Sequence, residues 1–166
     1  MVKKLPKTIS EKEFKLIIKE VKDKKLKLAF MLGFYQCMRV SEITKLKPID
    51  VDLDGNLLHI LDAKGGKDRN IPIMPPVKRG LKHLPIGLSD RTLQRQIKSW
   101  ALKVISKDIH FHTLRHSGAT FYLNDKKRDI RHIQVLLGHS RLSTTQIYTH
   151  VSPKALAKAF GEEIWD

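Results

Sequence analysis

Apolar residues in the first third of the chain recur at helical spacing. Phe14, Ile17, Ile18 and Val21 form the stripe that one buried helix face requires. Ser10 and Glu13 stand before them in the order of a capping box. A second helix is predicted from Leu26 to about Gln36. There Leu28, Phe30, Met31, Leu32 and Phe34 make the segment apolar nearly all round, as in a buried helix. Ser41 is placed to cap a short third helix carrying Glu42, Ile43 and Leu46, which Pro48 stops.

The period changes over residues 50–74. Val51 and Leu53 precede a turn at Asp54-Gly55-Asn56. Leu57, Leu58, Ile60 and Leu61 then read as a strand, Gly65-Gly66 as a turn, and Asn70, Ile71, Pro72 and Ile73 as the return strand. Pro72, Pro75 and Pro76 put this small sheet at an edge. Helical spacing then resumes. Leu93, Ile97, Trp100, Ala101 and Val104 share one face after a cap at Ser89, with Arg91, Arg95, Lys98 and Lys103 on or beside the other. Further helices are expected near 113–124, 129–137 and 143–149, the second ended by Gly138. Ser152-Pro153 opens a last helix over 153–164, with Leu156, Ala159, Phe160 and Ile164 on one stripe. The fold class is mainly α with a small antiparallel β-hairpin or sheet (α+β).

Composition narrows the function. The chain has 166 residues, enough for one domain with an adequate core. Apolar residues make up 41%, which argues against disorder. Lys and Arg number 32 against 17 Asp and Glu, a net charge of +15. Ion-pair networks cannot absorb so unbalanced a set. The excess favours a polyanion, nucleic acid first and an anionic membrane surface second. No apolar run is long enough to span a bilayer, and the N-terminus lacks a signal-peptide core. A single cysteine, Cys37, permits neither an intramolecular disulfide nor a cysteine zinc cluster. These features read as a cytosolic protein. Cys37 itself reads as a small buried side chain rather than a nucleophile.

Several basic groups and one tyrosine are candidates for chemistry. His112 and Arg115 lie three apart at a helix start, so both can face one spot where backbone N–H groups favour an anion. Each alone reads first as something plainer: His112 as a core histidine, Arg115 as a surface charge. His139, just past a helix end, either complements the helix dipole or donates to a phosphate oxygen. Arg39 sits at a helix junction beside Glu42. It is an ion-pair partner, a phosphate clamp, or both. Lys64 and Lys67 flank the hairpin turn and compete for one role. Tyr148 has nothing in its spacing to mark it as more than a core or interface residue.

Taken together and in order, these residues resemble the tyrosine recombinases of phage-integrase and Xer type. The likeness rests on Arg39-Val40-Ser41-Glu42-Ile43, on Lys64-Gly65-Gly66-Lys67-Asp68-Arg69, on His112-Thr113-Leu114-Arg115-His116, and on LLGHSRLSTTQIYTHV from Leu136 to Val151. It covers about residues 8–160. The resemblance implies a catalytic domain that cleaves and rejoins double-stranded DNA through a 3′-phosphotyrosine at Tyr148, with no metal, cofactor, ATP or small-molecule substrate. Arg39 and Arg115 match the arginines on the non-bridging oxygens, and His139 a hydrogen-bond donor to the same phosphate. Lys64 matches the general acid, and His112 the position that assists proton transfer at the tyrosine. Glu42 and His116 match supporting positions. Lys67, Arg69, Arg91, Arg95 and Lys98 are the expected DNA contacts.

The match departs in two places. Members usually carry a separate N-terminal DNA-clamping domain, but residues 1–9 are only a basic lead-in. The expectation is therefore a single catalytic domain over 1–166. Before Arg39 the family often has a Thr-Gly turn, where Gln36-Cys37-Met38 stands here, so that turn is expected to differ. The helix over 153–164 either docks on its own chain or passes to a neighbouring subunit. Two other readings stand beside recombination. A type IB topoisomerase-like enzyme would relax plasmids that lack any recombination site. A non-catalytic DNA-binding module would not need Tyr148. An RNA-binding regulator has only charge in its favour.

Overall fold

The computed structural model describes residues 7–61, 68–126, 128–138 and 159–160. Seven α-helices and three strands are found among them. They run α1 (Glu11–Glu20), α2 (Lys24–Tyr35), α3 (Val40–Lys45), β1 (Val51–Asp52), β2 (Leu57–Ile60), β3 (Arg69–Pro72), α4 (Pro75–Lys78), α5 (Asp90–Ile105), α6 (Phe111–Thr120) and α7 (Ile130–Leu137). Among the described residues, no helix is long and apolar enough to cross a membrane.

Local signals place α1, α5 and α7 as expected. Ser10 and Glu13 make both hydrogen bonds of the capping box, Ser89 caps α5, and Gly138 ends α7 in the left-handed conformation at φ +64°. Three expectations change. Ser41 does not cap α3; the helix begins one residue after Arg39, whose N–H donates to Glu42 Oε2 at 2.8 Å. The sheet has three antiparallel strands in the order β1-β2-β3, so Val51 and Asp52 add a second hairpin to the one expected. Phe121–Asp125 continues α6 as a π-helical turn. The short α4 has no apolar period of its own. It starts on Pro75-Pro76, which suit a helix's first turn.

α2 is the axis of the core. Phe30, Leu32 and Phe34 are wholly buried, and the Phe34 ring stacks on Phe14 at 4.3 Å. α6 crosses α2 closely because Gly118 has no side chain: a Cβ there would lie 1.9 Å from the Phe34 carbonyl oxygen. The edge strand β3 is tied to the end of α2 by one buried amide. Gln36 donates from Nε2 to the Pro72 carbonyl (2.9 Å) and accepts at Oε1 from the Met74 N–H (2.8 Å). Pro72 has no N–H to lose at that edge. Phe160 is buried, its ring 4.8 Å from Tyr122 of the same chain. The rest of the expected helix over 153–164, and the helix near 143–149, lie outside the described residues.

Candidate active site

Four charged side chains meet near the ends of α2, α3, β3 and α7: Arg39 from the α2–α3 junction, Glu42 from α3, Arg69 from β3 and Arg115 from α6. Glu42, in the first turn of α3, is 5% exposed. Its carboxylate accepts from Arg39 Nη1 at 3.1 Å, and from Arg69 Nη1 and Nη2 at 2.9 and 3.1 Å. Burial works to raise the Glu42 pKa, but the Arg69 fork and the Arg39 N–H hold it below the ordinary glutamate value. The Arg39–Glu42 ion pair is present, and the same carboxylate also holds the Arg39 backbone N–H. Arg39 keeps 38% of its side chain exposed.

Arg115 reverses its plainest sequence reading. It is 3% exposed, and its fork donates to the Cys37 carbonyl (Nη1, 2.6 Å) and the Leu137 carbonyl (Nη2, 2.6 Å). Leu137 closes α7, where the carbonyls carry partial negative charge. Burial first, then repulsion from Arg39, lowers the Arg115 pKa to about 10. A guanidinium at that value is still charged at neutral pH. Among the described residues of this cluster, three guanidinium groups gather near one carboxylate, a positive setting suited to an anion. His112 is exposed rather than in the core, and its ring meets that of His116 edge-on at 4.4 Å.

The turn before Arg39 puts a non-glycine residue in a glycine-type conformation. Cys37 adopts φ +51°, the left-handed region that glycine occupies at least cost. Its side chain is wholly buried, and its carbonyl is the one that Arg115 grips. Burial pushes the thiol pKa up to about 12 despite the nearby Arg115 and Arg69 cations. A disulfide reagent such as DTNB is therefore expected to leave Cys37 unreacted in native buffer and to titrate it fully in denaturant. Rapid native reaction would mean that this turn opens.

Arg69, expected at the DNA surface, is turned inward as an ion-pair partner of Glu42. Its side chain is 11% exposed and fully engaged by Glu42 and, through Nε, by the Leu136 carbonyl at 3.4 Å. The strand's own period signals this. Arg69 shares parity with Ile71 and Ile73, both in the core. Arg91, Arg95 and Lys98 are exposed on α5, and Lys98 pairs with Asp108 at 3.3 Å. Lys64, Lys67, His139 and Tyr148 lie outside the described residues.

A mostly helical domain with a small antiparallel sheet thus holds paired arginines around a buried glutamate, an arrangement suited to a phosphate group. The pattern of the phage integrase family matches residues 7–86 and 83–155. A tyrosine recombinase XerA of Pyrococcus furiosus is 37% identical over 178 residues, spanning 95% of this chain and 62% of that protein. The crystal structure of a XerA recombinase matches at a TM-score of 0.73 and 31% identity, over 93% of this chain and 64% of that one. An integrase from mycobacterium phage Brujita shares the fold at a TM-score of 0.83 and 23% identity, over 100% of this chain and 60% of that one. The chain belongs to the phage integrase family. It spans about three-fifths of the length of these relatives.

Proposed function

We propose that this domain is the catalytic part of a site-specific DNA recombinase or integrase. The Tyr148 hydroxyl oxygen attacks the scissile phosphorus. The bond from phosphorus to the 5′ oxygen breaks, leaving a 3′-phosphotyrosine. The departing 5′ oxygen takes a proton from Lys64, with Lys67 its competitor, and the tyrosine proton passes toward His112. Attack by a second 5′-hydroxyl reverses these steps and rejoins the strand. The covalent link conserves the bond, so no ATP is required.

A free tyrosine titrates near pH ~10, so it needs cations to make it a nucleophile at neutral pH. Arg39 and Arg115 meet the charge growing on the non-bridging oxygens, and His139 donates to the same phosphate. The observation that carries this reading is the gathering of two arginines at one place, Arg39 held by Glu42 and Arg115 held by the Cys37 and Leu137 carbonyls. Exposed Arg91 and Arg95 extend the contact to the DNA backbone, with sequence-independent, salt-sensitive affinity. On DNA the chain self-associates through residues 153–164.

The test is trapping on a nicked suicide substrate in excess EDTA, read on a denaturing gel. A covalent adduct is expected, and peptide mapping is expected to place it on Tyr148. Cleavage that strictly requires Mg²⁺, or an adduct elsewhere, would contradict the reading.

A further inference from the structure

We infer that Arg69 is a positioning residue for the reaction proposed above, and that Gly138 is a glycine because this guanidinium lies against it. Arg69 is the first residue of β3, yet its side chain reaches both α3 and the end of α7. Two nitrogens of the fork hold both oxygens of Glu42, and the third faces the Leu136 carbonyl. Glu42 in turn receives the backbone N–H and side chain of Arg39. Arg115 holds the next carbonyl along, that of Leu137. Arg69 therefore fixes the carboxylate that orients Arg39, against the same helix end that orients Arg115.

Gly138 shows how tight the fit is. A Cβ there would lie 2.9 Å from both Cζ and Nε of Arg69 and 3.0 Å from its Cδ. Real Cβ atoms do not sit so close, so a side chain at 138 shifts the guanidinium slightly, against the hydrogen bonds that fix it to Glu42 and Leu136. The positive φ of Gly138 is a separate demand on the same residue. Asparagine tolerates that backbone better than other residues but still brings the Cβ. Lysine at position 69 would keep the charge opposite Glu42. It would lose the fork, and with it the fixed direction of the carboxylate.

The experiment compares Arg69→Lys, Gly138→Asn and the double variant. Three quantities are measured: single-turnover adduct formation at saturating DNA, DNA affinity across salt concentrations, and denaturant unfolding. Arg69→Lys is expected to slow adduct formation by about 10- to 100-fold, the scale seen when an outer partner of a reacting group is lost. Affinity and its salt slope stay as in the starting protein. Gly138→Asn is expected to give the same kinetic defect. The double variant is expected to be no slower than the worse single one, because both act by displacing one guanidinium. The unfolding free energies are expected to be non-additive in the same way.

A cleavage rate unchanged by Arg69→Lys would overturn the inference, since charge alone would then suffice. So would a weakened affinity with a shallower salt slope, the mark of a DNA-phosphate contact. Additive losses of stability in the double variant would overturn it too. That last arm needs no activity. If the starting protein forms no adduct at all, the recombinase reading fails, while the unfolding cycle still decides whether Gly138 and the Arg69 guanidinium share one packing site. Should Gly138→Asn not fold, Gly138→Ser is carried through the same comparison.

Discussion

Replacing Arg39 with alanine is expected to slow adduct formation by on the order of 10²–10³-fold, the loss found when one preorganised donor to a developing oxyanion is removed. Thermal unfolding is expected to move little. Arg39 is 38% exposed, and its pairing with Glu42 is partly solvated, a setting in which ion pairs contribute little stability. Glu42 also keeps the whole Arg69 fork when Arg39 is gone. Arg115→Ala should cost at least as much rate, but with a different signature. It strips a charged donor from the buried Cys37 carbonyl and from the Leu137 carbonyl. Hydrogen bonds to charged groups are worth about 1.5–3 kcal/mol each, and the penalty of burying the guanidinium returns part of that. Arg115→Ala is therefore expected to lower Tm clearly, and to lose cleavage far more than DNA affinity. The measurements are adduct rate at saturating DNA, Kd, and Tm for both variants. Equal falls in Tm would refute the distinction between an exposed clamp and a buried one. Equal losses in cleavage and affinity would reduce Arg115 to an affinity contact.

How far the sequence foretells this site depends on the range of each interaction. The cap of α1, the long amphipathic α5 and the glycine stop of α7 are all set within a few residues, and the sequence shows them. The Arg39–Glu42 pair is also local, three residues apart. Arg115 is different. Its partners are 78 and 22 residues away, and nothing near it announces that its fork will be buried. The left-handed turn at Cys37 is hidden for another reason. Cysteine is not a turn residue, so the turn is visible only once its packing beside α6 is known. Arg69 carries two opposed signals: a basic residue beside a lysine-rich hairpin suggests DNA, while its strand parity points inward. The roles proposed for Tyr148 and Lys64 rest on the family resemblance, since periodicity singles out neither residue.

Gly118→Ala is expected to be among the most damaging single substitutions outside the charged cluster. The new Cβ would meet the Phe34 carbonyl oxygen at 1.9 Å, its carbon at 2.9 Å and the Cys37 sulfur at 3.0 Å. Two of these atoms are backbone of the central helix and cannot rotate away. Relief requires α2 and α6 to move apart, which unpacks the Phe34 ring from its neighbours. Overpacking of a close core costs about 1–3 kcal/mol and occasionally more, well beyond the ~1 kcal/mol that alanine gains over glycine in a helix. Gly33→Ala is the internal comparison. Its Cβ would lie 2.7 Å from the edge of the buried Phe111 ring, a side chain rather than helix backbone, so relief does not require two helices to part and helix propensity offsets more of the clash. The expected order of Tm is starting protein, then Gly33→Ala, then Gly118→Ala, with the last lower by several degrees or insoluble. The crossing also sets how far the Cys37 carbonyl lies from Arg115, three residues before Gly118 on the same helix. Any folded Gly118→Ala protein should therefore show slower adduct formation than Gly33→Ala. A Gly118→Ala protein with unchanged Tm and unchanged rate would mean that the two helices do not cross as closely as the carbonyl contact requires.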